Sequence, residues 1–133
     1  MSTESSAVLI YGAGGSARET AFLAEDCGLT VAAFIDDNEA TWGTVLNGIQ
    51  VVSLSEAVRR FGGTPVTISV GKPSLRQLLA AKAAEAGLQL LEELRHPSVI
   101  ASRFVELGPG AVLCAGTILT TNIKIGALSL IHI

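Results

Sequence analysis

A short apolar run, a glycine turn and a helical pattern follow one another within residues 8–37, and that order leaves few folds open. Val8, Leu9, Ile10 and Tyr11 have the length of a buried strand. Gly12, Gly14 and Gly15 come next, and Ser16 opens a pattern in which Ala17, Thr20, Ala21, Ala24 and Cys27 recur at helical spacing. Ser16 and Glu19 fit a capping box, in which hydroxyl and carboxylate satisfy the free N–H groups of the first turn. Gly28 is placed to end the helix in a left-handed conformation. A second apolar run, residues 30–35, closes on Asp36 and Asp37. This is the first βαβ unit of a nucleotide-binding sheet. Glycines let a ligand approach the backbone, and the helix start suits a phosphate. Carboxylates roughly 20 or more residues on can accept hydrogen bonds from a sugar or base. The turn has a plainer explanation too, since it can simply need a positive φ.

The 133 residues suffice for one modest domain with a real core. With 49% hydrophobic and 16% charged residues the chain is globular. A net charge of −3 argues against a nucleic-acid surface, which needs a basic patch. It leaves room for a phosphate site built from backbone N–H groups and one Lys or Arg. Cys27 and Cys114 sit far apart in apolar patterns and read as buried thiols of a reducing compartment. Metal spacing is absent. The start, MSTESS, reads as a polar tail with no signal peptide. No apolar run approaches the roughly 20 residues that span a bilayer. A cytoplasmic protein is expected.

Further along, Trp42 lies in a loop, where it can mark a ligand or subunit contact or pack over the domain edge. Asn47-Gly48 is a turn signal before a strand at residues 49–52. Ser53 and Glu56 form a second capping box, opening a helix with Leu54, Ala57, Val58 and Phe61 on its apolar side. Residues 66–70 are a further strand, and Gly71-Lys72-Pro73-Ser74 a second polar turn. Ligands of open α/β sheets bind off the carboxyl ends of strands, so this turn faces the same crevice as the first. Lys72 is either a phosphate partner or a solvated loop lysine. Leu75, Leu78, Leu79, Ala83 and Ala86 give a strong helical pattern. Arg76, on its first turn, points to solvent or to the crevice. Residues 88–91 read as a last strand, and His96-Pro97-Ser98 marks a change of regime.

After His96 the period becomes six. Leu107, Leu113, Leu119, Ile125 and Ile131 are evenly spaced, and the small residues Gly108, Cys114, Thr120 and Gly126 follow the first four. Ala111, Thr117 and Ile123 form a second row. Six matches neither helix nor flat strand and is the mark of a hexapeptide parallel β-helix, with small residues at tight corners.

A glycine-rich Rossmann-like half followed by hexads resembles one family, the sugar acetyltransferases typified by sialic acid O-acetyltransferase and the bacillosamine-pathway N-acetyltransferase. The resemblance rests on IYGAGGSARE from Ile10, FIDD from Phe34, SVGKPSLR from Ser69, HPSVI from His96 and the hexads of residues 107–126. It implies an α/β fold: a Rossmann-like parallel sheet with flanking helices in residues 1–96, then the first coil of a left-handed parallel β-helix in residues 97–127. It implies an acceptor, a sugar or nucleotide sugar, bound at Gly12, Gly14, Gly15, Ser16, Asp36, Asp37, Gly71 and Lys72. It implies acetyl-CoA as co-substrate, bound between subunits of a homotrimer by further coils. A histidine in those coils acts as general base on the acceptor amine or hydroxyl. Where the family often has His after the second glycine, Ser16 stands here. No catalytic residue is assigned within this chain, because His96 matches a junction motif and reads as structural. Residues 128–133, Leu-Ser-Leu-Ile-His-Ile, are a doubtful tail. They are expected to be the translation of a transposon end used in sequencing libraries, with the natural sequence stopping at about Ala127. His132 is therefore not assigned as catalytic, and the chain alone is expected to be inactive.

Two other readings remain open. One is a stand-alone nucleotide or nucleotide-sugar binding module. The other is an NAD-binding oxidoreductase domain, weakened because the turn lacks a later Gly and hexads follow it.

Overall fold

The structure, a computed structural model, describes residues 6–131; the expectations on residues 1–5, His132 and Ile133 lie outside the described residues. Strand β1 (Ala7–Tyr11), helix α1 (Ala17–Asp26) and strand β2 (Thr30–Ile35) form the expected βαβ unit. The apolar run is buried as a central strand, flanked on both sides by parallel partners. Gly28 ends α1 at φ +83, and the Leu29 N–H reaches back to the Ala24 carbonyl. The first capping box does not form. The Ser16 hydroxyl donates instead to the carbonyl of Ser69, across the sheet edge.

A 3-10 turn (Glu39–Thr41) leads to β3 (Val45–Leu46) and β4 (Ile49–Val52). Asn47 and Gly48 both take positive φ, +49 and +82, which gives the tight hairpin that antiparallel β3 and β4 require. Ser53 caps α2 (Leu54–Phe61) by accepting the Glu56 N–H at 3.1 Å. Then come β5 (Val66–Ile68) and α3 (Pro73–Glu85), which starts two residues earlier than its apolar pattern because Pro73 suits a first turn. The sheet order is β3-β4-β2-β1-β5, all parallel except β3. The expected strand at residues 88–91 reduces to one bridge, Leu90 to Val66. α2 and α3 cover one face, through Ala57, Leu79 and Ala83; α1 covers the other, through Ala17 and Ala21.

Not every position of the α3 pattern is core. Leu78 is 54% exposed and Leu75 lies open beside it. Arg76 between them is 2% exposed, pointing neither to solvent nor freely into the crevice. Its Nε donates to the Leu128 carbonyl at 2.7 Å. Nη1 donates to Ile68 and Val70 carbonyls at 2.7 and 3.0 Å. Nη2 faces the Gly110 carbonyl at 3.5 Å.

Beyond α3 the chain forms short parallel ladders. β6 (Glu93–Arg95) pairs with β9 (Ala111–Leu113), and β9 with β12 (Leu130–Ile131). β7 (Ile100–Ala101) pairs with β10 (Ile118–Leu119), and β8 (Glu106–Leu107) with β11 (Lys124–Ile125). Every pair joins residues 18 apart, as Ile100 with Ile118 and Glu106 with Lys124, which is three six-residue steps. Pairing into these ladders starts at Glu93, ahead of His96. Leu94 and Val112 pack with Leu23 and Ala24 of α1, so the ladders dock on that helix.

The left-handed corner residues are Gly110, Gly116, Asn122 and Leu128, with φ between +57 and +85. They form a six-residue row, two positions beyond the small residues singled out in the sequence. Gly108 in that earlier row is needed for a different reason: a Cβ there would lie 2.5 Å from the Ala127 nitrogen. Leu128, the first residue of the doubtful tail, stands where the row otherwise places Gly or Asn, residues at home in this conformation.

Replacing Arg76 by Met strips donors from buried carbonyls on both sides of the junction. Arg76→Met is expected to lose about 2–4 kcal/mol in urea denaturation. Arg76→Lys should recover less than half, because a compact ammonium cannot reproduce the fork. A fully stable Met variant would contradict the tie.

Candidate functional site

The sheet turns back on itself at β1: the chain runs outward to β2 and β4, then returns to β5 on the other side. Ligand crevices of open α/β sheets form at such a reversal, off the carboxyl ends of the strands. A cleft of about 500 Å³ lies there. Its wall takes Tyr11, Gly12, Ala13 and Gly14 after β1, and Asp36, Asp37 and Asn38 after β2. Val70, Leu75 and Leu79 close the α3 side.

Four of the eight sequence-derived residues line this cleft: Gly12, Gly14, Asp36 and Asp37. Gly15, Ser16 and Lys72 are not on its wall, and Gly71 lines a neighbouring cavity of about 340 Å³ beside Arg76 and Gln77. The glycines differ in kind. Gly12 has φ +113, and a Cβ there would sit 2.6 Å from the Ser69 hydroxyl. That hydroxyl is held by the carbonyls of Tyr11 and Gly12, at 3.1 and 2.8 Å. Gly12 is therefore required by the fold. Gly14 and Gly15 have ordinary φ, and nothing lies within 4 Å of where their Cβ atoms would be. The protein itself does not need glycine there, but a ligand pressed against the backbone would. α1 begins at Ala17, so its positive end faces this turn.

The two carboxylates also differ. Asp37 Oδ1 accepts the Tyr11 hydroxyl at 2.7 Å, and Oδ2 pairs with Lys82 Nζ at 2.5 Å. Burial and this carboxylate together push the Tyr11 phenol well above its ordinary pKa, so it stays a donor. Asp36 Oδ1 accepts the Asn38 N–H at 3.1 Å. No protein donor reaches its Oδ2 among the described residues. Asp37 is thus a brace between β1 and α3, and Asp36 keeps acceptor capacity for a ligand. Tyr11, Lys82 and Ser69 were missed as site residues. Tyr11 reads as strand core and Lys82 as a solvated helix face, and neither has a short-range signal.

His96 and the two cysteines lie off the cleft wall. The Ser98 N–H donates to His96 Nδ1 at 3.0 Å, which places the ring proton on Nε2, 3.0 Å from Asp26. The junction histidine is satisfied by Asp26 and Ser98. Cys27 and Cys114 are half-buried, and burial raises both thiols above their ordinary pKa. Among the described residues no cluster could hold a metal, and no helix is long and apolar enough to cross a membrane.

The parallel sheet and the cleft at its reversal define an α/β fold with an open crevice off the carboxyl ends of its strands. The family model described as the PglD N-terminal domain matches residues 7–83, and the chain belongs to that family. A variant of perosamine N-acetyltransferase from Caulobacter crescentus, solved with CoA and GDP-perosamine, is 32% identical with a TM-score of 0.83. The alignment covers 99% of this chain and 62% of that one. WeeI from Acinetobacter baumannii is 32% identical with a TM-score of 0.81, over 93% of this chain and 59% of its own. The acetyltransferase domain of PglB from Neisseria gonorrhoeae, solved with acetyl coenzyme A, shares the fold at 23% identity and a TM-score of 0.65, over 96% of this chain and 67% of its own. The chain therefore spans about three fifths of the length of the first two. No curated protein sequence matches it.

Two substitutions separate the glycine roles. Gly12→Ala should destabilise the chain by about 1–3 kcal/mol through strain and overlap. Gly14→Ala should keep the parent melting temperature and weaken nucleotide-sugar binding about tenfold or more. Calorimetric titration and thermal melting read the two effects separately.

Proposed function

We propose that this chain is the N-terminal, acceptor-binding part of an acetyl-CoA-dependent acetyltransferase acting on a nucleotide sugar. One observation carries the reading: Gly14, open although neither packing nor φ requires glycine there, shares the cleft wall with the unfilled Asp36 carboxylate. On this reading the turn of Gly12, Gly14, Gly15 and Ser16 receives the diphosphate, with Lys72 as a cationic partner beside Gly71. Asp36 accepts a ligand hydroxyl or N–H, and Asp37 holds the wall. The relatives solved with CoA and GDP-perosamine support this choice of ligands.

Residues 1–96 then form the nucleotide-sugar domain and residues 97–127 the start of a left-handed hexapeptide β-helix, a reading that the parallel ladders at an 18-residue offset support. Acetyl-CoA binds further coils of the whole protein, a cytoplasmic homotrimer, and supplies the acetyl group there. The residues of this chain hold and orient the acceptor. No nucleic acid or membrane takes part.

The purified chain should bind GDP-perosamine but not NAD in a calorimetric titration, and Asp36→Ala should weaken that binding about tenfold or more, the cost of one charge-assisted hydrogen bond. The same preparation should release no CoA from acetyl-CoA. NAD binding in place of the nucleotide sugar would overturn the proposal, and turnover would overturn the placement of the catalytic group.

A further inference from the structure

A groove of about 430 Å³ continues from the cleft past Asp37, which lines both. Trp42 forms one wall, Ser53, Leu54 and Ser55 another, and Lys82 and Ala86 of α3 the third. The sheet order puts the carboxyl ends of β2 and β4 here, on the side of β1 away from β5.

We propose that this groove takes the nucleobase of the bound nucleoside diphosphate and that the base stacks on Trp42. The inference rests on the nucleotide-sugar reading of the cleft. Three observations lead to it. The ligand has two directions in which to run from the glycine turn. Toward β5 lie Gly71, Arg76 and the ladders, the side on which acetyl transfer would take place, so the sugar must point there. The base is left with the direction of β2 and β4. Second, Trp42 keeps 42% of its surface exposed, yet its ring is fixed, because Nε1 donates to the Asp36 carbonyl at 2.8 Å. Third, the loop carrying it is tied down. The Gly43 N–H bonds the Val51 carbonyl at 2.9 Å, and Asn38 Oδ1 accepts the Ala40 N–H at 3.1 Å. A rigid, open aromatic face needs little ordering on binding, and stacking accepts any base. Asp37 and Lys82 neutralise each other along the groove edge, which suits an uncharged ring.

Trp42 is the one tryptophan of the chain, so its emission reports on the groove directly. The chain is titrated with GDP, UDP and inorganic pyrophosphate, by fluorescence and by calorimetry. GDP and UDP should shift or quench the emission with the midpoint that calorimetry gives, and pyrophosphate should not. Trp42→Ala should weaken GDP about 5- to 150-fold and leave pyrophosphate unchanged. Trp42→Phe should stay within about threefold of the parent, because a phenyl face still stacks. GDP that binds without touching the emission, and equally well to Trp42→Ala, would overturn the base site and leave the cleft reading intact. No binding of either nucleotide by calorimetry would remove the cleft reading and this inference with it.

Discussion

Arg76 is a buried cation whose partners are backbone carbonyls on both sides of the junction between sheet and ladders, and it ties the two together beside the packing of Leu94 and Val112 on α1. Charges rarely enter a protein interior without an acid. Here the carbonyls of Ile68 and Val70 at the end of β5, and of Leu128 and Gly110 in the ladders, supply the compensating dipoles. Burial lowers the pKa of the group, but a guanidinium stays protonated at neutral pH. The planar fork therefore pins two segments that do not otherwise pair. One of them leads to Gly71 in the cavity beside the cleft, and the other carries the first left-handed corner of the repeat. On the proposed function, a transfer between two bound substrates needs just such a fixed relation, since misplacement by about an ångström is costly.

The cleft divides its labour among residues that look alike in the sequence. Of its two wall glycines, Gly12 serves the backbone and Gly14 leaves room. Of its paired carboxylates, Asp37 is engaged by Tyr11 and Lys82, and Asp36 accepts only the Asn38 N–H among the described residues. Such separation lets the wall be rigid without using up its acceptors. Ser69 ties the two turns, donating to Tyr11 and Gly12 and accepting from Ser16.

The first βαβ unit and the six-residue period were legible because each follows from local rules: strand length, helix spacing, glycine in the turn, aliphatic repetition. What was illegible is long-range. Ser16 and Glu19 carry a capping-box pattern, yet a carbonyl 53 positions away captures the hydroxyl. Arg76 sits in a leucine-rich stripe whose neighbours Leu75 and Leu78 are exposed, since the buried stripe of α3 runs through Arg76, Leu79 and Ala83. Lys82 meets Asp37 only once α3 has packed on the sheet. The corner row was misplaced by two positions because smallness was taken as the signal. Positive φ is the real requirement at Gly110, Gly116 and Asn122.

The most direct test of the account maps the amide resonances of the chain by NMR while GDP-perosamine is added. The account predicts shifts concentrated at residues 12–16, 36–38 and 71–72, with the ladders of residues 100–125 nearly still. Shifts confined to the ladders, or none at saturating ligand, would contradict it.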